Sequence, residues 1–287
     1  MATLKQIRQR IKTARNIQQI TRAMKLVAAA RLRKATDRVL EARPYSEKLR
    51  ELMLSLSSAG ELPSHPLMES RPVKKIALIL ITAERGLAGS YNTNLLRKAG
   101  DFLKEQTCDT CLLTVGKKGN VFFSKRGYEV AFNLTVPSAG SRLEDAIEMT
   151  RQARELYESG AVDAVFICYS KFYSPIRQTP QVVQLLPIEP PTLEGDASAG
   201  SSAYVFEPDP GYLLNTLLPR YFLALVWQAM LESTASEHGS RMTAMTSATD
   251  NAGKMINTLT LKANRERQAS ITKEILEVVS GAEALNN

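Results

Sequence analysis

Small and apolar residues recur in alternating steps of three and four at both ends of the chain. Near the C-terminus they fall at Met242, Met245, Thr249, Ala252, Ile256, Leu259 and Ala263, a spacing that lines one side of an α-helix and suits a partner helix. At the N-terminus the same step joins Leu4, Ile7, Ile11, Ala14, Gln18, Thr21, Met24, Ala28, Arg31 and Ala35. No Pro precedes Pro44 and no Gly precedes Gly60, so a helix is predicted from Leu4 to about Ser57. From Tyr221 to Ser280 only Gly239 and Gly253 interrupt. At about 1.5 Å per residue such a helix runs on the order of 90 Å, too long to be buried in one globule. Ala28, Ala29 and Ala30 let a second helix approach closely. The two ends are therefore expected to pair as a coiled coil, with the longer C-terminal helix extending past the N-terminal one.

Between them the pattern changes. Lys75 to Thr82 is an unbroken aliphatic run of the kind seen in strands covered on both faces. Cys111–Val115, Tyr128–Phe132, Asp163–Tyr169 and Gln181–Leu186 read as further strands, and Tyr91 to about Glu105 and Leu143–Glu158 as helices. Alternating strands and helices predict an α/β layer with a largely parallel sheet. Pro63, Pro66 and Pro72 mark a linker, Pro190 to Ser202 a loop, and Glu207 to Gly211 the entrance to the last helix. Pro219 predicts a kink or a helix start. The expected divisions are an N-terminal helix over 1–58, a linker over 59–72, a central domain over 73–205 and a C-terminal helix over 206–287.

Charge sharpens this picture. The chain of 287 residues nets +8, yet residues 1–50 alone hold fourteen Lys and Arg against Asp37, Glu41 and Glu47. A solvated helix face normally mixes signs to gain i,i+4 pairs; a one-signed block points to an anionic partner, whether nucleic acid, acidic lipid or acidic protein. No apolar run reaches the roughly 20 residues a bilayer span needs, and the charged N-terminus lacks the apolar core of a secretory signal.

Candidate chemistry is sparse. Cys108 and Cys111 form a CxxC, but Cys168 is distant and His65 and His238 are isolated, so a zinc site lacks ligands. The turn Thr82–Asn92 and the turn Gly116–Gly119 stand where an α/β domain holds phosphates, yet neither carries GxGxxG or GK[ST]. Their glycines read as relief for close packing. No cofactor is expected.

Two blocks carry a family resemblance: Gln19 to Arg31 (QITRAMKLVAAAR) and Arg265 to Glu283 (RERQASITKEILEVVSGAE). With Arg85–Asn92, Gln184–Pro187, Glu207–Pro210 and Glu237–Met245 in the same order, the chain resembles the gamma subunit of the F-type ATP synthase along its whole length. Two departures stand out: Ala88 and Ser90 replace the Cys and Gly common in the family's glycine block, and Pro219 is unexpected within its helix. The loop Pro190–Ser202 lacks the cysteine pair that a chloroplast-type gamma carries before the C-terminal helix, so the resemblance is to the bacterial type.

The resemblance implies an antiparallel coiled coil of the long N- and C-terminal helices plus a central Rossmann-like α/β domain with a mostly parallel sheet. It implies a non-catalytic rotor shaft that couples proton-driven c-ring rotation to conformational cycling of the catalytic beta subunits. Its partners would be an alpha3beta3 hexamer, the epsilon subunit and the c-subunit ring, with no nucleic acid and only indirect membrane association through the Fo sector, at the cytoplasmic face of the bacterial inner membrane. By position, Met24, Arg267, Gln268 and Thr272 match contacts to beta. Leu276, Val279 and Leu285 match the tip in the hexamer's bearing, and Tyr204 the foot facing the c ring and epsilon. A nucleic-acid-binding coiled coil and an enzyme built on the α/β domain are the rival classes.

Overall fold

The computed structural model describes residues 3–58, 65–137, 140–189 and 210–285. The chain divides into two units, residues 1–27 with 242–287 and residues 28–241. Helix α1 (Leu4–Ser58) and helix α5 (Pro210–Leu285) each contribute to both.

The larger unit holds β1 (Lys75–Ile81), α2 (Tyr91–Glu105), β2 (Asp109–Val115), α3 (Lys117–Ser124), β3 (Glu129–Leu134), α4 (Leu143–Glu158), β4 (Ala164–Phe172) and β5 (Gln178–Leu186). The sheet order is β3-β2-β1-β4-β5. All neighbours run parallel except β4 and β5, which form an antiparallel hairpin at one edge. The mostly parallel α/β layer is as expected. Val121–Lys125, to which periodicity assigned no element, lies largely in α3.

The aliphatic run of β1 is central because both of its faces are covered. Ala77, Ile79 and Ile81 pack in a core with Met53 and Leu56 of α1, Met149 and Ala153 of α4, and Phe222 and Met230 of α5. Leu78 and Leu80 face the other way, onto Leu95, Ala99 and Leu103 of α2 and Phe123 of α3. Burial on both sides removes the polar alternation of a half-exposed strand.

Pro219 neither starts nor ends α5, which begins at Pro210 and passes through it. A proline in a helix interior costs about 3 kcal/mol. Leu214, Leu218, Phe222 and Val226, one helical stripe around it, are each at most 1% exposed. At roughly 1.5–3 kcal/mol per buried side chain, that stripe outweighs the lost hydrogen bond. Pro180, in β5, sits opposite Ser170 in the register. Having no N–H, it can occupy only a position whose amide points away from its partner.

Pro63, Pro190–Ser202, Tyr204 and Glu207–Asp209 lie outside the described residues.

Candidate functional site

The smaller unit is the paired helical segment 4–27 of α1 and 242–285 of α5. On α1, Ile7, Ala14 and Thr21 are buried at a seven-residue interval, and on α5 Met245 and Ala252 are buried at the same interval. This is the seam that the spacing predicts. Small side chains keep it narrow: the Thr249 hydroxyl donates to the Thr21 hydroxyl at 2.9 Å. A Cβ added at Gly253 would lie 3.1 Å from Gln18 Nε2, which is close but open to adjustment by a flexible side chain. Thr21 meets Thr249 and Gln18 meets Gly253, so the pairing is antiparallel. Beyond Glu266 the seam ends, and every described position from Arg267 to Gly281 is exposed. The extension of the longer helix past the shorter is thus as expected.

Residues 3–27 carry Lys5, Arg8, Arg10, Lys12, Arg15, Arg22 and Lys25 and no acid. Among the described residues, none of these seven joins an ion pair, and the one ion pair of this unit is the exposed Lys273–Glu277. Arg8, Lys12 and Arg15 fall on one face of α1. With Asn16 and Gln19 on one side and Thr260 and Ala263 across the seam, they line a cleft of about 560 Å³. The α1 wall of this cleft is cationic.

The residues matched by resemblance separate into places. Met24 is half-buried, whereas Arg267, Gln268 and Thr272 are exposed, the Thr272 hydroxyl donating back to the Gln268 carbonyl at 3.0 Å. With Thr21 paired to Thr249 in an antiparallel register, Met24 stands level with about Thr246, so Arg267 lies about twenty-one residues farther along α5, roughly 31 Å at the helical rise. Met24 and the Arg267–Thr272 group are therefore two stations and not one cluster. Leu276 and Val279 are 60% and 55% exposed, in a run with Ile271, Ile275 and Val278. Leu285 ends α5, its side chain outside the described residues, as is all of Tyr204.

In the larger unit, the block Glu237–Met245 begins in a partly buried polar knot. Arg241 Nη1 donates to Glu237 Oε1 at 2.6 Å, and its Nη2 donates to the Gly86 carbonyl at 3.3 Å. Burial pushes the Glu237 carboxyl above the usual range, offset by Arg241. Burial, then the charges of Arg241 and Arg31, lower the His238 imidazole to about 4, so it is neutral at pH 7. The knot ties α5 to the turn after β1; it joins two of the blocks that carried the resemblance. Periodicity alone did not find it, because its signal is a run of charged residues inside an otherwise buried helix.

The second phosphate-like turn, Gly116–Gly119, is filled from within. Gly119 N donates to Thr82 Oγ1 at 2.8 Å, Lys118 N to the Ala83 carbonyl and Gly116 N to the Leu134 carbonyl. The amides that a phosphate would need are already engaged. Gly116 has φ +88°, and a Cβ there would stand 2.2 Å from the Thr82 carbonyl oxygen, so its glycine serves packing.

A family model described as ATP synthase matches residues 3–285. ATP synthase gamma chains of Pelotomaculum thermopropionicum and Moorella thermoacetica are each 46% identical over 285 residues, covering 99% of this chain and 100% of theirs. Among solved structures, a chain of the Euglena gracilis mitochondrial ATP synthase (OSCP/F1/c-ring, rotational state 3) aligns with TM-score 0.72 at 16% identity, over 98% of this chain and 94% of that one. A chain of the Tetrahymena thermophila mitochondrial ATP synthase central stalk and c-ring aligns with TM-score 0.59 at 24% identity, over 80% of this chain and 99% of that one. These structural likenesses carry the fold, and the full-length sequence identity carries the rest: the chain belongs to the ATP synthase gamma chain family.

Proposed function

We propose that this chain is the central shaft of a rotary ATP synthase. It transmits torque from a proton-driven c ring to the beta subunits of an alpha3beta3 hexamer and catalyses nothing itself. The observation that carries the reading is the helical pair: stiff, with an acid-free stretch of α1 whose seven cations join no ion pair among the described residues, and a C-terminal segment of α5 that nothing in the described chain covers. A rotor of this kind need only contact each beta state differently to shift the order of their affinities, because a differential interaction energy is what biases a multi-state equilibrium.

The working parts are then the helix over 1–58, the linker over 59–72, the α/β domain over 73–205 and the helix over 206–287. Met24 on one station, and Arg267, Gln268 and Thr272 on another, contact beta. Leu276, Val279 and Leu285 form the tip in an apolar bearing, and Tyr204 belongs to the foot against epsilon and the c ring. No described helix is long and apolar enough to cross a membrane, which supports a peripheral place. With bacterial relatives along its whole length, that place is the cytoplasmic face of the cell membrane.

The test mixes the full-length chain with purified alpha and beta subunits. Co-elution of one copy with three of each is expected, with tighter association at low salt, since the contacts are charged. Failure to join the hexamer, together with tight duplex DNA binding whose affinity falls steeply with salt, would favour the nucleic-acid reading of the same basic helix.

A further inference from the structure

Strand β4 outruns the parallel sheet. Its pairing with β1 ends at Cys168, but β4 continues to Phe172, paired only with β5. A two-stranded ribbon is marginal alone, and this one is fastened to α5 by three serines on one helical face. Ser170 stands opposite Pro180, so its backbone groups point away from β5. Its N–H donates to Ser233 Oγ at 3.2 Å and its carbonyl accepts from Ser236 Oγ at 2.9 Å. Ser240 Oγ donates to Gln178 Oε1 at 2.6 Å, and Gln178 Nε2 donates to the Pro175 carbonyl at 2.6 Å. At Gly239 an added Cβ would lie 3.3 Å from Pro175 Cα, so the absent side chain lets the turn rest on the helix.

The turn so secured presents apolar surface outward. Its ends are tied by Tyr173 N to the Arg177 carbonyl and Arg177 N to Ser174 Oγ. Arg177 and Lys171 lie over the Tyr173 ring, at 5.0 and 5.6 Å from its centroid. Ile176 at its apex is 88% exposed, more than any other large hydrophobic residue among those described. The turn after β1, at the same end of the sheet, repeats the theme. Leu87 has φ +62°, an unfavourable conformation for a residue with a branched side chain, and is 65% exposed beside Arg85. Apolar side chains held rigidly outward by several hydrogen bonds, with cations beside them and no acid in the turn Lys171–Gln178, suit a partner surface that mixes apolar and acidic groups.

We propose that the β4–β5 turn, with Ile176 inserted and Arg177 beside it, docks on an acidic and apolar surface element of the alpha–beta hexamer. This rests on the shaft reading. By chain connectivity the anchors Gly239 and Ser240 immediately precede Met242, where α5 passes into the helical segment proposed to enter the ring.

The experiment measures binding of the full-length chain to immobilised alpha–beta hexamer by interferometry. Ile176→Asp is expected to weaken binding about tenfold or more, mainly through faster dissociation, and Arg177→Glu to slow association, with thermal melting of both variants unchanged. Wild-type binding with both variants indistinguishable from it would overturn the docking site and leave the shaft reading standing. Absence of wild-type binding would overturn the shaft reading itself. A photo-crosslinker on Ile176→Cys, in a Cys108→Ser background, should label alpha or beta. Labelling of a smaller rotor subunit or of a second copy of this chain overturns the assignment.

Discussion

Gly116 separates two reasons for a glycine. It has positive φ and a carbonyl oxygen 2.2 Å from where a Cβ would go, whereas Gly127 has φ +79° and nothing within 4 Å. Gly127→Ala meets only the left-handed backbone penalty, about 1 kcal/mol. Gly116→Ala must also move the backbone of Thr82, and about 3 kcal/mol or more is expected. Urea unfolding of the two variants tests this; equal losses would mean that the turn after β2 yields easily. The sequence marks both positions only as glycines near turns. The difference lies in Thr82, more than thirty residues upstream, whose hydroxyl donates to the Val115 carbonyl and accepts from Gly119 N.

At the scale of elements, the helical periodicities were legible because each seam is written in one continuous stretch. The hairpin was less so. Gln181–Leu186 reads as a strand, but its antiparallel sense and its earlier start at Gln178 depend on contacts with β4 and α5. Pro219 does not mark the helix start for a related reason, since the buried stripe around it outweighs local propensity. The exposed end of α5 yields a prediction. Deleting residues 277–287 should leave the unfolding transition of the 28–241 unit unchanged, because the described residues removed are solvent-exposed, while loosening the hold of the shaft in the ring. Calorimetry of the truncated chain reads the first effect; loss of that transition would show that the larger unit depends on the tip.

For the whole molecule, the shaft reading places the helical pair against several copies of one acidic partner. Met24→Lys adds an eighth cation to a stretch that already holds seven between residues 3 and 27 and extends a charged group from a half-buried position. It should strengthen attraction to one beta conformation at the expense of the others. The expected outcome in reconstituted vesicles is ATP-driven proton pumping reduced severalfold with ATP hydrolysis largely retained. Unchanged pumping would place Met24 away from the working contact. Arg267, Gln268 and Thr272 do not touch the substituted side chain, since the register sets them roughly 31 Å or more away along the pair.

The amino-acid sequence by itself determined every helix but α3, the seams of the two long ones, the α/β layer, the concentration of charge and, through whole-length resemblance, the family. These are properties of spacing and composition within contiguous stretches, where the physics of burial acts on neighbours three, four or two residues apart. The tertiary structure alone decided which polar groups meet: Thr21 with Thr249, Arg241 with Gly86, and Ser233, Ser236 and Ser240 with the β4–β5 hairpin. It also decided that Leu87 and Ile176 point outward. Such pairings join residues more than sixty positions apart, and hydrogen bonds of that kind obey distance and angle, which no local pattern encodes.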